Sequence, residues 1–201
     1  MDAVEVVRIV KETHEVYFIA SPDDATQRYL YRVRANGGEA TRVTPMDVPG
    51  THSYSISTDG KFAVHTVSHF GVPPESALVR LPEHSVVRTL EDNKRLADKL
   101  KNLARGEHEF FRVDIGDGVE LDAYCMFPPQ FDANRAYPVL FHVYGEPWGQ
   151  TVRDQWGGNN YLWHLMHTQR GYLVMSVDNR GVNSPRGRDF RKVIYRKIGT
   201  L

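Results

Sequence analysis

Over roughly the first ninety positions, β-branched and aromatic residues alternate with polar ones in short runs broken by turn residues, the period-two pattern of half-buried strands. Residues 4–10, 14–20, 27–34 and 40–43 make one set, broken at Ser21-Pro22-Asp23-Asp24 and Asn36-Gly37-Gly38. Residues 51–57, 61–68, 75–81 and 85–90 make a second, with Thr58-Asp59-Gly60 as a tight turn and Val72-Pro73-Pro74 as a loop. Two sets of four strands, spaced by about 40 to 45 residues, match the blade repeat of a β-propeller. Two blades cannot close a ring, so the segment reads as the end of a longer propeller. A free-standing sandwich is the alternative reading of the same pattern.

From position 92 to 105 the period changes to 3.6: Leu96, Leu100 and Leu103 recur among Lys94, Arg95, Asp98, Lys99 and Lys101, and Gly106 supplies a stop. This predicts an amphipathic linker helix whose leucine stripe packs between two modules. Residues 109–114 and 119–127 then predict a hairpin around Gly116-Asp117-Gly118, ended by Pro128-Pro129. Residues 138–143 form an apolar strand. A helix over 160–170 presents Tyr161, Leu162, Leu165 and Met166 on one face, and 172–177 is a second buried strand. Antiparallel entry strands followed by a β-α-β unit open an α/β sheet, which binds its ligands at the carboxyl ends of its strands. The expected organisation is 1–91 propeller blades, 92–106 linker helix and 107–201 an incomplete α/β domain.

Composition narrows the function classes. Lys plus Arg equal Asp plus Glu at 25 each, and no basic run is interleaved with aromatics, so nucleic acid is a poor partner. Hydrophobic residues at 41% and charged residues at 25% suit a globular chain. The single cysteine, Cys125, lies in an alternating strand pattern and reads as a buried filler; it excludes an internal disulfide, and both cytosol and periplasm fit. No apolar stretch reaches the roughly 20 residues that cross a bilayer, and the start lacks the basic-then-apolar order of a signal peptide.

The strings YPVLFHVYGEPWGQ from Tyr137, RGYLVMSVDNRGVNSPRGRDFR from Arg170 and RKIGTL from Arg196 resemble the start of the catalytic domain of the prolyl oligopeptidase family, dipeptidyl peptidase IV branch. Upstream, LYRVRANGGEATRVT, STDGKFAV and VRTLEDNKRLADKL are similar to the last propeller blades and linker helix of those proteins. The resemblance implies a fold of β-propeller blades followed by the N-terminal part of an α/β-hydrolase domain. It also implies a serine peptidase acting near the N-terminus of peptides, with peptide as partner and no cofactor.

In hydrolases of this fold the loop after the third strand gives one donor to the oxyanion hole. The resemblance makes that donor the Tyr144 hydroxyl, because Tyr144-Gly145-Glu146-Pro147 is similar to the family's Tyr-Gly-Gly-Pro setting. A phenol suits the role, since its neutral O–H strengthens its hydrogen bond as charge develops on the carbonyl oxygen. Read from position alone, Tyr144 is a packed residue at a strand end whose hydroxyl meets water; the flanking motif reverses that reading. Glu146 departs from the family's small residue. Asp178-Asn179-Arg180-Gly181 resembles the family's Asp-x-Arg-Gly turn; Arg180 is expected to clamp neighbouring loops, with Gly145 and Pro147 as structural neighbours of the site. Asp178 is not the triad acid, which follows the serine in chain order.

No Gly-x-Ser-x-Gly occurs in these 201 residues, so no triad member is assigned and the chain alone is expected to be inactive. Its open sheet edges imply aggregation or homodimerisation. No metal site is expected: His65 and His69 are about 13 Å apart along a strand, and His164 and His167 lack an acidic or thiol companion. Gly37-Gly38 and Gly157-Gly158 lack nucleotide-cradle spacing. The rival functions are an acylaminoacyl peptidase-like enzyme of the same superfamily and a non-catalytic remnant serving as a binding module.

Overall fold

The computed structural model describes residues 2–197; residues 198–201, which hold the end of the RKIGTL string, lie outside them. The chain divides into two compact units, Met1–Ala97 with Asp154–Trp156, and Asp98–Arg153 with Gly157–Leu201. The described residues are mostly β-sheet.

The first unit holds two antiparallel four-stranded sheets of propeller-blade type. β1 (Ala3–Val10), β2 (Glu15–Ala20), β3 (Tyr29–Arg34) and β4 (Thr41–Arg42) pair in chain order. So do β5 (Thr51–Ile56), β6 (Phe62–His69), β7 (Val72–Arg80) and β8 (Ser85–Glu91). Alternation along β2 and β3 divides their side chains between two clusters. Tyr17, Ile19 and Leu30 join Val10 and Val43 and, from the other sheet, Ile56, Ala63, Val79 and Leu81. Phe18, Ala20, Tyr29 and Tyr31 pack together on the opposite face. Both faces of these central strands are therefore covered, where the alternation alone predicted half-burial. Each side chain the size of Leu30 contributes about 2 kcal/mol by leaving water. Arg8 fastens the sheets further, its guanidinium donating to the Ile56 carbonyl at 2.7 and 3.1 Å.

The predicted loop at Val72-Pro73-Pro74 is part of β7. His69 faces Val72 and Val67 faces Glu75, so two prolines oppose the single Ser68 and the missing N–H donors fall in a bulge. Polar side chains inside the second sheet satisfy one another. His52 Nε2 lies 3.1 and 3.2 Å from the Val48 and Pro49 carbonyls and must donate, so Nδ1 of the neutral ring accepts from His65 Nε2 at 2.8 Å. The Tyr54 hydroxyl bridges His84 Nε2 at 2.9 Å and Thr44 Oγ1 at 2.8 Å. Burial lowers His52 to about 4 and His65 to about 3, keeping both neutral.

Helix α1 covers Lys94–Lys101, shorter than the predicted 92–105. Of its leucine stripe Leu100 is buried, while Leu96 and Leu103 are exposed. Gly106 does not stop the helix. A Cβ there would collide with the Phe127 and Pro128 carbonyl oxygens, so the glycine permits the chain to pass against that segment.

The second unit carries a mixed sheet in the order β11-β12-β10-β9. β9 (His108–Asp114) and β10 (Glu120–Met126) form the predicted hairpin, with Cys125 buried and its thiol pushed up to about 11 by that burial. β11 (Val139–Phe141) runs parallel to β12 (Leu173–Val177), and α2 (Gly158–Gln169) connects them as a β-α-β unit. β11 is three residues long rather than six. The buried face of α2 is Tyr161, His164, Leu165 and Thr168, not the predicted face with Leu162 and Met166. Polar residues occupy it because Thr168 Oγ1 donates to the Leu165 carbonyl at 2.9 Å and the His164 ring packs on His142, centroids 4.9 Å apart. A short α3 (Arg188–Lys192) follows.

Candidate active site

β11 ends at Phe141, yet the chain stays fixed to β12 for one more residue. His142 donates its N–H to the Met175 carbonyl at 2.8 Å, and Ser176 Oγ donates to the His142 carbonyl at 2.6 Å. Only beyond this double tie does the backbone leave the sheet, placing Tyr144 past the carboxyl end of a parallel strand. Gly145 takes φ +75°, a left-handed conformation that a side chain would strain. The Tyr144 ring lies against Gly149, where an added Cβ would meet ring carbons at 2.6 and 2.7 Å. Tyr144 is 52% exposed, and among the described residues its hydroxyl has no hydrogen-bond partner, so the O–H is free to donate.

Gly145, Pro147 and Arg180, picked from two separate motifs, line one cavity of about 320 Å³ together with Ile115, Leu121 and Ile194. Nε of Arg180 is buried there without a hydrogen-bond partner among the described residues. Gly181 follows at φ +95°, and a Cβ on it would reach Ile194 at 2.6 Å. Its N–H donates to the Phe190 carbonyl at 2.9 Å, which sets α3 beside the turn.

Asp122 and Gly149 escaped the sequence reading, and Asp178 was marked there without its partners. Asp178 is buried, and its carboxylate accepts the Thr151 N–H at 2.8 Å and the Val152 N–H at 3.1 Å. Burial pushes its carboxyl above the usual range, the two N–H groups pull it back, and the neighbouring Asp122 pushes it up again. Asp122 is itself buried and accepts from Arg186 at 2.9 Å and Arg112 at 3.3 Å. Gly149 carries no signal except its place five residues after Tyr144. The Asp-Asn-Arg-Gly string did mark Asp178, but which backbone it would tie was invisible before the loop was seen. Of the histidines, His65 is turned into the blade, whereas His69 faces Asp154 at 3.7 Å.

The fold and site describe a β-rich protein with propeller-type blades and a β-α-β unit ending in an exposed loop tyrosine. Residues 1–74 match the family model "Dipeptidyl peptidase IV (DPP IV) N-terminal region". The chain is 35% identical over 185 residues to a probable dipeptidyl-aminopeptidase B of Emericella nidulans, covering 92% of this chain and 20% of that protein. It is 29% identical over 201 residues to a probable dipeptidyl peptidase 4 of the same organism, covering all of this chain and 26% of that one. The crystal structure of Porphyromonas gingivalis dipeptidyl peptidase 4 superposes with a TM-score of 0.88 at 28% identity, over 99% of this chain and 27% of that protein. The chain belongs to the dipeptidyl peptidase IV-like branch of the prolyl oligopeptidase family. It spans about a quarter or less of the length of these relatives. No described helix is long and apolar enough to cross a membrane.

Proposed function

We propose that this chain is the segment of a serine-type dipeptidyl peptidase that joins the last propeller blades to the start of an α/β-hydrolase domain. In this reading the boundaries are 1–91, 92–106 and 107–201, and Tyr144 donates a hydrogen bond to the oxyanion formed when a serine outside the segment attacks a peptide carbonyl. The carrying observation is the exposed Tyr144 side chain just beyond the carboxyl end of parallel strand β11, its hydroxyl without a hydrogen-bond partner among the described residues. Arg180, Gly145 and Pro147 shape the floor beside it. A dipeptide-releasing outcome comes from the relatives' names; the sequence of this segment supports peptide-bond hydrolysis through the tyrosine alone.

The test is Tyr144→Phe in the complete gene product, assayed with a dipeptide amide ending in proline. The hydroxyl bonds more strongly to the transition-state oxygen than to the ground-state carbonyl, so kcat should fall by roughly 10² to 10³ while KM barely moves. A kcat within about twofold of the parent would remove the role. The 201-residue chain alone should take no label from a fluorophosphonate probe, because an oxyanion donor without a nucleophile forms no covalent bond. Any labelled serine would overturn that.

A further inference from the structure

Tyr144 is 52% exposed and among the described residues its hydroxyl has no hydrogen bond to hold it, so its position depends on the path of its own loop. That loop is fastened at both ends to one strand. At the entrance, His142 is tied to Met175 and Ser176 of β12. At the exit, Thr151 and Val152 each give an N–H to a different oxygen of Asp178, the residue directly after β12. Between the two, the Gly149 carbonyl accepts the Asn183 N–H at 3.2 Å, and the bare Gly149 Cα forms the seat of the Tyr144 ring.

We propose that Asp178 is a positioning residue for Tyr144, its two-oxygen grip on Thr151 and Val152 setting the loop that presses Gly149 beneath the tyrosine ring. The proposal rests on the reading of Tyr144 as the oxyanion donor for its catalytic consequence, but not for its structural one. Asp178 is 2% exposed and Val152 is fully buried, while Thr151 is half-buried. Two N–H donors converging on one carboxylate need two acceptor oxygens. An asparagine offers one oxygen and turns an NH₂ toward the other donor, leaving a buried N–H unpaired without changing side-chain size. The charged neighbours of the carboxylate are Asp122, which repels it, and Arg153, which attracts it and is itself lowered by burial. Neither replaces the backbone donors.

Asp178 is buried and bonded to the loop amides, so its effect passes through the loop and should vanish when the tyrosine hydroxyl is gone. The experiment places 3-fluorotyrosine at position 144 of the complete gene product and records its ¹⁹F signal, with kinetics on the unlabelled protein. Asp178→Asn should shift or split the ¹⁹F resonance and lower kcat about tenfold at nearly unchanged KM. In a Tyr144→Phe background the same change should cost less than twofold, since the two losses share one route. Gly149→Ala, which leaves Asp178 intact, should move the resonance as well. A ¹⁹F signal unchanged in Asp178→Asn overturns the proposal whatever the kinetics show, as does an undiminished kcat loss in the Tyr144→Phe background. If Tyr144→Phe itself leaves kcat intact, the catalytic role of Tyr144 fails, while the ¹⁹F comparison still decides the positioning. Hydrogen exchange needs no mutation: the Thr151 and Val152 amides should exchange at least tenfold more slowly than that of Trp148, and equal rates would overturn the grip.

Discussion

The two units use buried polar side chains in opposite ways. Inside the second blade, His52 and His65 bond each other and Tyr54 bonds His84 and Thr44, a closed set whose three histidines line a cavity of about 280 Å³. In the second unit, the buried carboxylates of Asp178 and Asp122 reach outward, to loop amides and to Arg112 and Arg186. A closed set stabilises one sheet and makes it sensitive to protons. An outward-reaching set gives loop ends a fixed address at one edge of a sheet. Titratable residues in a core therefore say little about function until their partners are known.

The largest expected effect lies in the outward-reaching unit: Tyr144→Phe, at roughly 3 to 4 kcal/mol of transition-state stabilisation, should dwarf any effect on folding. Acid should separate the units next. An unfolded imidazole takes its proton near pH 6.5, while folded His52 and His65 wait until about 4 and about 3. Between those values the unfolded state binds more protons, so stability is full above pH 6.5 and falls as pH drops. The loss is about 1.4 kcal/mol per pH unit for each imidazole held neutral. His164, which burial lowers to about 4 in the second unit, adds a like amount, so urea melts at pH 6.5 and 5 should differ by about 3 to 5 kcal/mol. His65→Gln keeps a donor toward His52 but cannot take a proton, so it should remove about a third of that difference. An unchanged slope would put the acid sensitivity elsewhere.

Gly106→Ala comes third. Its Cβ would collide with the Phe127 and Pro128 carbonyls, backbone atoms that cannot swing away, at a cost of about 1 to 3 kcal/mol in thermal melts. Stability equal to the parent would mean that the chain re-routes freely at this crossing. The smallest effect should be Lys101→Ala on α1: its 2.9 Å pair with Asp98 is exposed on both sides, so the melt should move by less than about 0.5 kcal/mol. A larger shift would show that the helix surface is held by something other than that pair.

Alternation and turn residues made the strands of both blades legible, because side-chain direction along a strand has period two whatever surrounds it. They could not show that Tyr17 and Phe18 would both be buried, since that depends on which surfaces meet each face. The α2 stripe failed for a related reason. Hydropathy favoured Leu162 and Met166, but His164 and Thr168 could enter the interior once His142 and a helix carbonyl were there to receive them. Among the site residues, Tyr144, Gly145, Pro147 and Arg180 were visible as strings, and the cavity brings the last three together. Gly149 and the Thr151 and Val152 amides were not, because backbone donors have no letter in a sequence.

The order β11-β12-β10-β9 also has a history written into it. During synthesis the β9–β10 hairpin can close at once from neighbouring residues, but β11 emerges before the strand that will hold it. Among the described residues its one ladder is with β12, which must first dock on β10. Until then Val139, Phe141 and Val143, exposed in this structure, wait without a partner while α2 is being made. Of these four strands, the one that leads to Tyr144 is thus the last to find its partner.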